Sequence, residues 1–302
     1  MIETFIQRII IKVIKNIFVL LTLLQLSCAL NAQISPIYRE IPDSVSVIEN
    51  LTFAQYGDYD LQLDLYRPIS TEILPAIVVI SEGGFANGTK ELNAPMAMML
   101  AEKGFVTVSI EYRGASEALF PASVQDSKAA IRWLRANAEI YNINPNAIGA
   151  IGGSWGGYLS TYVGVTSGIS ELEGNGGSAE FSSHLSAVVG LSTPTNLVIF
   201  PPKMEWYFAD TYIDNPTLWE FASPITHVSQ DSPPLLLIAS QTDDTVPYEQ
   251  SIELTQVYAE AGLEIGLQLL PNDGHAFWYF NESFDEMIEQ ASMFFHKHLD
   301  SK

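Results

Sequence analysis

Gly152-Gly153-Ser154-Trp155-Gly156 is the stretch on which the reading of this 302-residue chain turns. It has the form G-x-S-x-G, and its flanks matter more than its letters. Residues 148–152 before it are short and apolar, as a buried strand is, and the run from Trp155 to about Ser167 suits a helix. A serine on a sharp strand-to-helix turn keeps its hydroxyl exposed, and glycine on either side leaves room for the backbone. The helix N-terminus adds partial positive charge beneath a developing oxyanion. Ser154 is therefore read as a nucleophile rather than a packing-turn residue.

Outward from the turn, strands and helices alternate. Leu61, Leu63 and Leu65 alternate with polar residues, as in a half-buried strand, while Ala76-Ile77-Val78-Val79-Ile80 is a continuous run suited to burial on both faces. A helix is expected over 94–102, ended by Gly104, and a strand over 105–110. Val124, Ala129, Ile131, Trp133 and Leu134 mark an amphipathic helix over 122–138, after Pro121. Residues 187–191 and 235–238 read as further buried strands, followed by a helix over 249–261, a strand over 265–270 and a last helix over 284–299. Residues 34–50 read as an extended lead-in, and the Gly/Ser/Glu-rich 170–183 as a loop. The aromatic segment holding Phe200, Trp206, Tyr207, Phe208, Tyr212, Trp219 and Phe221 is read as a small lid insertion. The order implies one α/β domain over 33–302, with a mostly parallel sheet and helices on both faces.

A serine hydroxyl needs a base. In this architecture the nucleophile is followed in the chain by an acid and then a histidine. His275 follows Asn272-Asp273-Gly274 directly after the 265–270 strand. His184 and His227 fall in the wrong part of the order, and His296 and His298 lie on the last helix. For the acid, Asp243 and Asp244 both follow the 235–238 strand. Asp243 is preferred, with Asp244 the alternative; Asp231 and Asp273 are read as turn residues.

Composition narrows the partners. The 14 Lys and Arg stand against 35 Asp and Glu, a formal net charge of -21. Such a surface repels nucleic-acid backbones and anionic lipid heads. The single cysteine, Cys28, rules out an intrachain disulfide and a thiolate cluster, and the five histidines show no ligand spacing, so no metal site is expected. Arg8, Lys12 and Lys15 precede an uncharged, mostly apolar stretch over 17–30 with small residues after it, the order of a secretory signal. That stretch spans about 21 Å as a helix, short of the roughly 30 Å bilayer core. Residues 1–32 are read as a signal peptide and the mature chain as secreted or periplasmic. Lipid anchoring at Cys28 is disfavoured by Gln25 in the preceding residues.

With these features in place, the chain resembles the α/β-hydrolase superfamily, in the esterase/lipase branch that includes BD-FAE (feruloyl esterase-like) domains. The resemblance runs from Tyr56 to Leu299. It rests on Leu61-Gln62-Leu63-Asp64-Leu65-Tyr66-Arg67-Pro68, on Glu111-Tyr112-Arg113 with Phe120-Pro121-Ala122 and Asp126, and on the stretch from Ala129 to Asn137. The serine turn and Ser223-Pro224-Ile225-Thr226-His227-Val228 complete it. It implies an α/β-hydrolase fold and hydrolysis of carboxylic esters without a cofactor, often of acyl groups on plant polysaccharides or short-chain lipids. It also implies that the aspartate four residues before a Val-Pro proline is the acid, which matches Asp243 and Pro247, and that Gly274-His275-Ala276-Phe277 is the histidine loop.

One departure stands out. Where the family usually has His-Gly-Gly-Gly or His-Gly-Gly-Pro, this chain has Ser81-Glu82-Gly83-Gly84-Phe85. Gly83 or Gly84 is still expected to donate to an oxyanion beside Trp155. A carboxylate about 6 Å from that oxyanion would cost roughly 3 kcal/mol at an effective dielectric near 20. Glu82 is thus expected to face water or to pair with a substrate hydroxyl or a cation, Lys90 or Arg113 being the candidate cations. Phe85, Tyr112 and Trp206 are expected to border the substrate. Two other readings compete: a prolyl-oligopeptidase-like peptidase with the same triad, and a binding protein with impaired catalysis.

Overall fold

The buried apolar runs form the centre of an eight-stranded sheet. The structure, a computed structural model, describes residues 40–83, 86–199, 205–279 and 281–300. The expected signal peptide with Cys28, and also Gly84, Phe85 and Phe200, lie outside the described residues. The strands are β1 (Val45–Tyr56), β2 (Tyr59–Pro68), β3 (Leu74–Ile80), β4 (Val106–Ile110), β5 (Ile143–Gly153), β6 (Ala187–Leu191), β7 (Leu235–Ser240) and β8 (Ile265–Leu270). Their order across the sheet is β1-β2-β4-β3-β5-β6-β7-β8, antiparallel at the β1/β2 and β2/β4 pairings and parallel from there on.

Helices α1 (Ala94–Glu102), α2 (Ala122–Ala136), α3 (Trp155–Val165), α7 (Glu249–Glu260) and α8 (Asn281–Leu299) connect or follow the parallel strands. Short helical turns α4 (Ser170–Glu173), α5 (Glu205–Phe208) and α6 (Pro216–Phe221) lie between them. Strand pleating explains the two layers. Ala76, Val78 and Ile80 of β3 join a cluster with Val124, Ile131, Leu134, Tyr158 and Leu159 of α2 and α3, while Ile77 and Val79 are buried on the opposite face. There α1 packs against α8. The sheet is covered on both sides, as its continuous β-branched runs require.

Two departures from the sequence pattern have local causes. The expected lead-in becomes β1 from Val45, a long strand with register shifts between Ile48 and Leu51 and between Thr52 and Ala54. Those shifts break the period-two pattern that marks a strand. The Gly/Ser/Glu-rich stretch contains one helical turn, α4. It presents Glu173 to Lys128 at 2.8 Å and Arg132 at 3.3 Å, both on α2.

The end of β5 is tightly constrained. Ile80 of β3 pairs with Gly152, Gly152 with Gly190, and Gly153 with Leu191. A Cβ on Gly156 would stand 2.1 Å from the Ile80 carbonyl oxygen, and one on Gly152 would stand 2.4 Å from the Gly156 carbonyl carbon. Both obstructions are backbone, which cannot swing aside as a side chain does. Gly156→Ala is therefore expected to cost about 2 kcal/mol or more, a fall in Tm of roughly 4–8 °C for a domain of this size. An unchanged thermal melt would mean that the turn has slack that this packing denies.

Candidate active site

The tight end of β5 places Ser154 in an unusual backbone conformation, φ 51° and ψ −116°, at the start of α3. Positive φ strains a residue with a Cβ. Here the conformation is held from both sides: the Ser154 N–H donates to the Leu191 carbonyl at 2.8 Å, and its own carbonyl accepts the first helical bond from Tyr158 at 2.9 Å. The amide of Trp155 precedes that first bond and so has no intrahelical acceptor.

Two further strand ends complete the arrangement. His275, on the loop after β8, lies with Nε2 3.1 Å from Ser154 Oγ and Nδ1 2.8 Å from Asp243 Oδ2. One tautomer satisfies both contacts, with Nδ1–H donating to the carboxylate and bare Nε2 accepting from the serine hydroxyl. Asp243, after β7, has a fully buried side chain, and its Oδ1 accepts the Thr245 and Val246 N–H groups at 2.9 and 2.8 Å. Burial alone would raise its pKa, but the bonds from His275 and the Val246 N–H outweigh it and hold the carboxyl below its usual range. Asp244 is exposed and accepts from the Thr245 hydroxyl, Asp273 accepts from Ser283, and Asp231 is exposed. The geometry thus brings Asp243, and not Asp244, to His275. The histidine loop is moored by the Gly274 N–H, which donates to Ser240 Oγ at 2.9 Å.

The loop after β3 runs against the start of α3. Gly83 is exposed at φ 121°. Tyr112, expected to touch substrate, has no exposed surface. Its hydroxyl lies 3.0 Å from the Ser81 carbonyl and 3.2 Å from that of Glu82, so the ring braces the loop from beneath. The expected contact gives way to support, because the phenol is needed as a donor to buried carbonyls.

Glu82 also departs from expectation. It is only partly exposed, its Oε2 is enclosed without a hydrogen-bond partner, and neither candidate cation reaches it. Lys90 pairs with Asp64 at 2.9 Å and Glu91 at 3.0 Å. Arg113 is held by Asp126 at 2.8 Å, with its guanidinium 3.6 Å from the centre of the Tyr56 ring. Each cation is taken by a carboxylate already buried behind the sheet edge.

The aromatic insertion packs onto the core. Tyr207, Phe208 and Trp219 are buried. Tyr207 meets the Trp155 ring edge-on at 4.6 Å, and the Tyr158 and Tyr162 hydroxyls donate to the carbonyls of Ala222 and Phe221. Trp206 is half-buried, with its ring 5.3 Å from that of Trp155, the residue after the nucleophile.

A mostly parallel sheet with Ser154, Asp243 and His275 after the ends of β5, β7 and β8 defines an α/β-hydrolase fold. The chain belongs to the BD-FAE family, whose sequence profile matches residues 63–258. Esterase LipC of Mycobacterium tuberculosis (strain ATCC 25618 / H37Rv) is 30% identical over 237 residues, covering 74% of this chain and 58% of that protein. Esterase LipQ of the same strain is 29% identical over 211 residues, 67% of this chain and 50% of that protein. The chain spans about half the length of these curated relatives. A truncated form of a carbohydrate esterase from gut microbiota superposes with a TM-score of 0.77 at 28% identity, over 86% of this chain and 99% of that one.

Removing the brace under the loop tests its role. Tyr112→Phe leaves the Ser81 and Glu82 carbonyls without this donor and is expected to cost about 1–3 kcal/mol. The measurement is a lower urea midpoint at unchanged slope. An unmoved midpoint would show that the hydroxyl carries no weight there.

Proposed function

We propose that the protein is a serine carboxylic ester hydrolase that acts through an acyl-enzyme, with acyl groups on carbohydrates as its substrate class. The observation that carries the reading is the unbroken line from Ser154 Oγ to His275 to buried Asp243, at 3.1 and 2.8 Å. The esterase names of the two mycobacterial relatives and the carbohydrate esterase named in the structural comparison support it.

The chemistry follows from the atoms. Ser154 Oγ attacks the acyl carbon while its proton passes to His275 Nε2, and Asp243 steadies the imidazolium that forms. The Trp155 amide at the helix start is assigned to the oxyanion, with a second donor from the loop after β3. Of that loop's two adjacent glycines, Gly83 is described and Gly84 lies outside the described residues. Collapse of the intermediate breaks the ester bond, and the His275 proton leaves with the alcohol. Water then repeats the attack on the acyl-serine and releases the acid. Trp206, half-buried beside Trp155, is assigned to the wall of the substrate site; Phe85 lies outside the described residues. No helix among the described residues is long and apolar enough to cross a membrane. The proposal places the mature chain outside the cytoplasm, on the basis of the basic, apolar and small-residue order of residues 1–32.

The test is a panel of p-nitrophenyl esters of rising chain length, acetylated and feruloylated xylan, and a prolyl amide. Short esters and acylated xylan should be turned over and the amide left intact; the opposite pattern would favour a peptidase. Ser154→Ala and His275→Ala should each lower kcat by about four orders of magnitude or more, and not additively. Asp243→Asn should cost about a thousandfold or more, whereas Asp244→Asn should stay within about threefold, as expected of an exposed charge. Substantial ester turnover by Ser154→Ala would defeat the mechanism.

A further inference from the structure

The Glu82 side chain sits in the loop that faces the nucleophile, and its environment is not one an ionised carboxylate would choose. Oε2 is enclosed with no hydrogen-bond partner, and the nearby Trp278 indole N–H is enclosed without one as well. The neutral N–H groups of Asn93 and Trp278 lie near enough to act on the carboxyl. The Asn93 amide also donates to the Ile80 carbonyl at 3.2 Å, and the Tyr112 hydroxyl is given to the Ser81 and Glu82 carbonyls. The Trp278 ring is packed against Gly153, where a Cβ would meet it at 2.3 Å, and crosses the His275 ring edge-on at 5.4 Å. Lys90 is turned to Asp64 and Glu91, and Arg113 to Asp126. The titratable group near enough for its charge to act on Glu82 is His275.

We propose that Glu82 is a positioning residue of this site that serves with its carboxyl protonated, and that its ionisation shuts the site down at alkaline pH. The inference rests on the esterase reading above. A neutral carboxyl fits an enclosed place that offers no cation. Once ionised, the group sets a negative charge in the loop assigned to a developing oxyanion, where charge of the same sign must form in the reaction. Burial pushes the Glu82 carboxyl up to about 7, against the smaller opposing effects of its own backbone, Asn93, His275 and Trp278.

The sign is definite. On the alkaline side the site is lost as Glu82 gives up its proton, so kcat/KM should fall there. For the wild type, kcat/KM on a small neutral ester should fall at least about fivefold between about pH 7 and about pH 9, tending to tenfold per unit. Glu82→Gln keeps the shape and removes the ionisation; its kcat/KM should stay within about twofold over that range. Glu82→Ala guards against a folding defect in the first variant and should also lack the alkaline limb. Near-ultraviolet circular dichroism at each pH separates loss of function from loss of structure. Infrared spectra should show a protonated-carboxyl band at neutral pH in the wild type that is absent from Glu82→Gln. A wild-type profile flat at alkaline pH, or an alkaline limb persisting in folded Glu82→Gln, overturns the proposal. So does a folded Glu82→Gln with little activity at every pH. If Ser154→Ala is inactive in the same assay, such a result counts against Glu82 alone; if it is active, the esterase reading itself fails.

Discussion

The site depends on one steric constraint: the backbone of β3 and the first turn of α3 approach so closely that there is no space for a Cβ between them. Gly156 would clash with the Ile80 carbonyl at 2.1 Å, and Gly152 with Gly156 itself. That closeness turns the chain sharply between Gly153 and Trp155, holds Ser154 at φ 51°, and puts the loop after β3 beside the helix start. The strain at Ser154 is stabilised by hydrogen bonds on both sides and by a sheet buried on both faces. Because β5, β7 and β8 run parallel, their C-terminal ends lie on one edge. The serine, aspartate and histidine loops meet there although they are far apart in the chain.

Charge is handled by giving buried and half-buried carboxylates specific partners. Asp64 has Lys90, Asp126 has the bidentate Arg113, Glu173 has Lys128 and Arg132, and Asp243 has His275 with two backbone N–H groups. Breaking such a pair strands a buried charge, at a cost of about 3–5 kcal/mol. Glu82 Oε2 has no such partner, and it lies where charge would matter most. In a chain with a net charge of -21, burial that pushes the Glu82 carboxyl up to about 7 lessens the negative charge beside the nucleophile.

The sequence made the frame legible where one physical signal dominated. Continuous runs such as Ala76 to Ile80 and the strand over 265–270 are recognisable because both faces are buried, or because the flanks end cleanly. Register shifts hid the start of β1, and α4 was masked by a polar composition that reads as loop. At the site, Ser154, Asp243 and His275 could be singled out because chain order and strand ends constrain them. Tyr112 and Glu82 could not be placed, since their roles depend on long-range packing. Which carbonyls a buried phenol reaches is set by the approach of the loop after β3, and Lys90 and Arg113 are already engaged by Asp64 and Asp126, on β2 and α2.

The central claim is that the β5–α3 turn and His275 together make Ser154 a nucleophile. Intact mass spectrometry after brief exposure to a fluorophosphonate tests this without any assumption about substrate. The account predicts a single adduct on the peptide containing Ser154, with labelling abolished in His275→Ala and much slowed in Asp243→Asn. Labelling of folded His275→Ala at the wild-type rate, or an adduct on another residue, would contradict it.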